Sequence, residues 1–150
     1  MISLKQGVLA MNLTVLFVET DTNVQQKIEY ILNQEVAEWT SERVSGDIEN
    51  LSEMVFHMTQ RGVKLVLFVG GAHVYDGAPS SQAIKRIADS RVYALETYLC
   101  GIIAEECKGC LLTSPTVGVR GQSLLICLPD EPKAVQIALP VILNALRRAG

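Results

Sequence analysis

Two short, unbroken apolar runs constrain this chain more than any other feature: Leu13–Val18 (LTVLFV) and Lys64–Val69 (KLVLFV). Stretches of this length without polar alternation mark strands covered on both faces. Between them, apolar residues recur at helical spacing. Val24, Ile28, Ile31 and Leu32 predict a helix over Val24–Asn33, behind a cap offered by Asp21, Thr22 and Asn23. Ile48, Leu51, Val55 and Met58 predict a second, capped by Asp47 or Asn50, running to Gln60 and stopped by Gly62. Glu38–Val44 reads as a strand polar enough to lie near a sheet edge, and Lys64–Val69 as the centre of the sheet. Strands alternating with helices over short joints imply right-handed crossovers and a mostly parallel sheet with helices on both faces.

The second half continues the alternation. After Val69 comes GGAHVYDGAPSS, a loop by composition. Ser80 and Ser81 are expected to cap a short helix through Ala88, and Val92–Glu106 is a longer helix. Leu111–Thr113 is a short strand candidate; Val117–Arg120 and Ser123–Leu128 flank Gly121 as hairpin partners. Asp130, Glu131 and Pro132 open a final helix, which Pro140 is expected to kink or break near Leu139. With 150 residues, one domain over 12–150 follows, with 1–11 as an N-terminal extension.

Composition narrows the function. Hydrophobic residues make up 49% and charged residues 19%, which excludes a disordered chain. A net charge of −3 argues against a nucleic-acid polymer as partner. No apolar run approaches the roughly 18 residues of a membrane span, and MISLKQGVLAMNL lacks the pattern of a signal peptide. A cytoplasmic protein with no membrane partner is expected. So high an apolar fraction on a small body suggests a homo-oligomer. Cys100, Cys107, Cys110 and Cys127 read as reduced, mostly buried thiols. Cys107 and Cys110 form a C-x-x-C, but it sits at a helix end, and the histidines a metal site would need are only His57 and His73.

Ligands of an open parallel sheet bind beyond the carboxyl ends of its strands. Three loops leave such ends here: Glu19–Asn23, Gly70–Pro79 and Pro129–Pro132. Gly70 and Gly71 can turn the backbone sharply and present N–H groups to an anion, and Ser80 would donate at the next helix start. A tight turn without a ligand explains the glycines equally well. His73 lies in the same loop and is a candidate ligand contact; His57 reads as a partly buried helix residue. Neither G-x-x-x-x-G-K-[ST], G-x-G-x-x-G nor G-x-S-x-G is present.

Two segments together carry a resemblance. VLFVGGAHVYDGAPSSQAI is similar to the strand–loop–helix of the molybdopterin-binding family, roughly G-G-T-G, three residues, R-D-V-T-P-E-A. LTSPTVGVRGQSLLICLPDEPKAVQIAL resembles that family's later stretch, roughly L-S-R-x-x-x-G-x-R-G-x-T-L-I-x-x-L-P-G-S-P-K-A-V. Val44–Asp47 also falls where the family often has V-P-D-D. The resemblance implies a three-layer α/β molybdopterin-binding-like fold, usually trimeric, serving molybdenum cofactor biosynthesis. It implies molybdopterin as ligand and, in some members, transfer of AMP from Mg2+-bound ATP to the pterin phosphate.

Residue by residue, Gly70 and Gly71 match the family's first two loop glycines, His73 replaces a glycine, and Thr113 falls on a serine. Gly118, Arg120, Gly121, Leu128, Pro129, Pro132, Lys133 and Ala134 match directly. Gly77 and Ala78 stand where the family has Arg-Asp, so the carboxylate tied to metal-nucleotide chemistry is absent in register, with Asp76 two residues away. Asp130 and Glu131 replace Gly-Ser at a helix start, where each charge pair with a phosphate at about 4 Å costs on the order of 1–4 kcal/mol. The resemblance therefore implies a divergent member with weak or no adenylyltransferase activity, or a non-catalytic structural or regulatory relative with a closed or repurposed pocket. Its candidate residues are Asp47 and Asp76 for Mg2+ or pterin amines, and Gly70, Gly71, His73, Ser80, Thr113 and Lys133 for the ligand. An unrelated flavodoxin-like domain, with Tyr75 over a flavin, is a third reading.

Overall fold

The computed structural model describes residues 9–149. Its centre is a six-stranded sheet in the order β2-β1-β3-β6-β5-β4. The strands are β1 (Leu9–Val18), β2 (Val36–Val44), β3 (Leu65–Val69), β4 (Ser90–Arg91), β5 (Thr116–Arg120) and β6 (Ser123–Leu128). β2, β1, β3 and β6 run parallel; β5 pairs antiparallel with β6 and β4 antiparallel with β5. The helices are α1 (Thr22–Glu35), α2 (Ile48–Gln60), α3 (Pro79–Ile87), α4 (Tyr93–Glu106) and α5 (Pro132–Ala149).

Two cores explain the three layers. Side chains alternate faces along a strand. Leu13, Val15 and Phe17 of β1 and Leu65, Leu67 and Val69 of β3 therefore share one core with Val24 and Ile28 of α1, Leu99 of α4 and Leu139 of α5. Leu16 and Val18 of β1 and Val66 and Phe68 of β3 face the opposite side, against Leu51 and Val55 of α2 and Ile84 of α3. All five residues of β3 are buried, as its unbroken apolar run requires of a central strand. β2 lies at the sheet edge, with most of its residues exposed.

Several local expectations are corrected. β1 begins at Leu9, so 9–11 belong to the sheet; the rest of the expected extension, 1–8, lies outside the described residues. Leu9 is buried and pairs with Val36, which gives the strand reason to start early. Leu111–Thr113 is not a strand: Lys108–Leu112 forms a short 3-10 helix, and Thr113 makes an isolated bridge to His73. Ser80 and Ser81 do not cap α3 but lie inside it; Ala78 holds the cap position and Pro79 follows. His57 is exposed, its ring edge-on to Phe56 at 5.9 Å.

Pro140 does not break the last helix, and α5 runs unbroken over 18 residues. Proline removes the N–H that would bond the carbonyl of Gln136, and both residues face solvent, where water can satisfy that carbonyl. The opposite face buries Ala134, Val135, Ala138, Leu139, Ile142 and Leu143, which holds the helix on the sheet. Pro140→Ala restores the missing bond but frees the unfolded chain, so a net gain of about 1–2 kcal/mol is expected in urea unfolding. A loss of stability would show that the proline ring packs usefully where it stands.

Candidate functional site

The carboxyl ends of β1, β3 and β6 open into one cavity of about 510 Å³. It is lined by Val18, Glu19 and Gly46 from the β1 and β2 ends, by Gly71, Ala72, His73, Asp76 and Pro79 after β3, by Gly109 and Thr113 from the 3-10 turn, and by Pro129, Asp130 and Glu131 before α5. Both segments that carry the family resemblance thus meet at one place. They are also joined directly: the Ser114 amide donates to the Ala72 carbonyl at 2.8 Å, and His73 bridges Thr113.

The turn after β3 is held from beneath. Gly70 has φ +96°, and a Cβ there would collide with the Val18 carbonyl and the Thr20 hydroxyl. Gly71 has φ +67°, and a Cβ would run into Ser80 Oγ. Both glycines are required by backbone shape and close approach, independent of any ligand. The Thr20 hydroxyl donates to the Val69 carbonyl at 2.5 Å, and Ser80 Oγ donates to the Gly70 carbonyl at 2.7 Å.

The candidate residues divide accordingly. Gly71, His73, Asp76 and Thr113 line the cavity. Gly70 is buried beneath it. Ser80 is fully buried with its hydroxyl bonded to Gly70, so the expectation that it donates to a ligand is corrected: it positions the loop. Asp47 and Lys133 are exposed and outside the cavity lining; Asp47 stands at the start of α2 beside Gly46 and makes no side-chain cap bond. Glu19 is a rim residue that sequence reasoning missed. It has φ 52° and accepts from the Gly46 amide at 2.6 Å, tying the β1 and β2 ends together. Its place in a loop leaving a strand end was the available signal.

His73 has a defined orientation. Its Nδ1 accepts from the Tyr75 amide at 3.3 Å, and its ring stacks on Tyr75 at 5.6 Å. With Nδ1 accepting, the neutral ring carries its proton on Nε2, which is left to donate. Against this single donor side chain the cavity sets four carboxylates, of Glu19, Asp76, Asp130 and Glu131. Carboxylate oxygens suit Mg2+, yet among the described residues no three His, Cys, Asp or Glu side chains are grouped to hold a metal ion. A Mg2+ ion held here would rest on one or two of these carboxylates and on ligand phosphate and water.

Ala78 occupies the start of α3 in a left-handed conformation, φ 43°, ψ 60°. Asparagine and aspartate tolerate that region far better than alanine. The backbone at Ala78 thus keeps a shape suited to the carboxylate that the side chain lacks.

No family model matches the chain. Gephyrin of Dictyostelium discoideum is 29% identical over 106 residues, 71% of this chain, and the match spans about 15% of that protein's length. The Mog molybdopterin biosynthesis protein of Mycobacterium ulcerans superposes with a TM-score of 0.81 at 18% identity, over 94% of this chain and 95% of its own. The tungsten cofactor synthesizing protein MoaB of Pyrococcus furiosus superposes with a TM-score of 0.75 at 20% identity, over 93% and 94%. Strand order, layering and the convergence of the two motif segments agree with these likenesses: the chain has the molybdopterin-binding fold of the Mog and MoaB cofactor-biosynthesis proteins.

Proposed function

We infer that this protein binds a molybdopterin-like pterin phosphate at the carboxyl end of its sheet, in molybdenum cofactor biosynthesis, with weak or no adenylyltransferase activity. The observation that carries the reading is the meeting of Gly71–Asp76 with Pro129–Glu131 and Thr113 around one cavity. The His73 Nε2–H is the side-chain donor for the ligand's oxygens, while Asp76 and the Thr113 hydroxyl, whose own proton goes to the Cys110 carbonyl, accept from pterin amines. Transfer of AMP is disfavoured because Ala78 supplies no carboxylate and Asp130 and Glu131 repel a nucleotide phosphate. ATP and Mg2+ therefore belong to the proposal only as weak co-substrates. A cytoplasmic homotrimer is the expected form. The exposed Tyr93, Tyr98, Leu111 and Leu112 near α4 support self-association.

The test is thermal unfolding with molybdopterin. At about 100 times its dissociation constant a native-state ligand adds roughly 2.7 kcal/mol, a rise of several degrees. No shift at hundreds of micromolar ligand would overturn the reading. The second reading, a scaffold with a repurposed pocket, is favoured by the acidic lining and predicts that absence of shift. Ala78→Asp relieves the left-handed strain on alanine but buries a carboxylate, so little net change in stability is expected. It is expected to raise AMP incorporation from Mg2+-ATP above the unaltered protein. Strong incorporation without the substitution would contradict the weak-activity half of the reading.

A further inference from the structure

Beside the cavity stands a pair of thiols to which the pterin reading gives no role. Cys107 caps both the end of α4 and the start of the 3-10 turn in an extended conformation, and Cys110 lies within that turn. The turn folds back on this extended cap residue, so the two side chains, three residues apart, meet. The Cys110 amide donates to the Cys107 carbonyl at 3.0 Å, fixing that register, and the two sulfurs stand 2.6 Å apart as free thiols. Cys107 is partly exposed, while Cys110 is buried, at 4% exposure. Between them, Gly109 lines the cavity; beyond them, Thr113 returns both its amide, at 3.0 Å, and its hydroxyl, at 2.6 Å, to the Cys110 carbonyl.

We propose that Cys107 and Cys110 are a reversible disulfide-forming pair, a covalent modification site whose oxidation stiffens the Gly109–Thr113 wall of the cavity. The oxidant is a low-molecular-weight disulfide of the oxidised-glutathione class. Cys107, the accessible member, loses its proton and attacks one sulfur of that disulfide, breaking its S–S bond. The departing thiolate takes up a proton and leaves as the first thiol. Cys110 then loses its proton and attacks the Cys107 sulfur, expelling the second thiol. The protein loses two electrons and two protons, and the oxidant becomes two thiols.

The surroundings do not hold the pair in its reduced state by stabilising a thiolate. Redox-active thiols that resist pairing are stabilised as thiolates at helix N-termini or beside cations. Here Cys107 ends a helix, where the dipole is negative. Burial pushes the Cys110 thiol up to about 12, with the neighbouring Cys107, Glu131 and Asp130 adding to the rise. Cys110 therefore stays protonated when reduced, and no thiolate stabilisation holds it in that form. Attack is correspondingly slow, which suits a stable clip better than a rapid exchanger.

The full chain is incubated with excess oxidised glutathione, unfolded, alkylated and mapped by mass. The expected result is loss of alkylation at Cys107 and Cys110 only, a mass decrease of about 2 Da, and reversal by dithiothreitol. In the oxidised protein, amide exchange across 109–113 is expected to slow by about threefold or more. Cys107→Ser is expected to leave Cys110 open to alkylation and the exchange rates unchanged by oxidant. Cys110→Ala should prevent the bond in the same way and serves if Cys107→Ser folds poorly. Full alkylation of all four cysteines after oxidation, or a bond involving Cys100 or Cys127, would overturn the pairing. A Cys107–Cys110 bond with unchanged exchange would overturn its effect on the wall. None of these measurements uses a pterin, so their failure is separable from failure of the binding reading.

Discussion

Gly70→Ala is expected to lower the unfolding free energy by about 4 kcal/mol, a large share of the roughly 5–15 kcal/mol that a native domain has. Two effects add. At φ +96° an L-residue is strained by about 1–3 kcal/mol. The new Cβ would also strike the Val18 carbonyl, which is backbone and cannot swing aside, and would crowd Thr20 Oγ1 at 2.7 Å. Gly62 separates the two. It has φ +81° but nothing within 4 Å of where a Cβ would stand, so Gly62→Ala carries the strain alone and is expected to lose only about 1–2 kcal/mol. Urea midpoints measured on both variants decide the matter. Equal losses would mean that contact with the end of β1 is unimportant. The site should suffer with the fold, because Gly70 supplies the carbonyl that holds Ser80.

Glu96→Ala is expected to cost about 3 kcal/mol. Glu96 Oε1 accepts from Arg91 Nε at 3.1 Å and from Arg91 Nη2 at 2.9 Å, and Oε2 accepts from Nη2 at 2.8 Å. Oε1 also accepts from the Val117 amide at 2.9 Å. One side chain thereby joins β4, α4 and β5 where the sheet turns antiparallel. The pair is shielded, with Arg91 26% and Glu96 15% exposed, and the hydrogen bonding raises the Arg91 guanidinium above its ordinary value. Breaking a buried pair from one side costs about 3–5 kcal/mol, and partial exposure together with the Tyr93 ring 5.3 Å from the Arg91 guanidinium places this pair at the lower end. Glu96→Gln keeps an acceptor for Val117 and is expected to lose only about 1 kcal/mol. Chemical denaturation of the two variants checks the order. A glutamine variant as weak as the alanine one would place the effect in the charge rather than in the bond to β5.

The sheet was legible because its central strands carry no polar alternation. Leu65–Val69 can be buried on both faces or nowhere, and the polar Glu38–Val44 could only be marginal. The site was legible as a set of loops but less so as a set of side chains. His73, Asp76 and Thr113 reach the cavity, whereas Ser80 is drawn inward by a carbonyl and Lys133 lies outside the lining. Such choices turn on local backbone shape. Nothing in the letters A-P-S-S reveals that an alanine takes the left-handed cap position and pushes both serines into the helix. The strand expected at Leu111–Thr113 failed for a related reason. Three apolar or β-branched letters do not distinguish a strand from a tight helical turn that ends in a single bridge. Pro140 misled because the helix faces water at just the carbonyl the ring orphans.

The two outermost strands carry a further consequence. β4 is two residues long and offers almost no ladder to a foreign chain. β2 has nine residues but presents exposed Glu38, Glu42 and Arg43 along its margin. Short length on one flank and charge on the other keep a lipophilic molecule from recruiting copies of itself end over end into fibrils. Among the described residues, helix faces and loops are therefore better suited than the sheet edges to meet a partner.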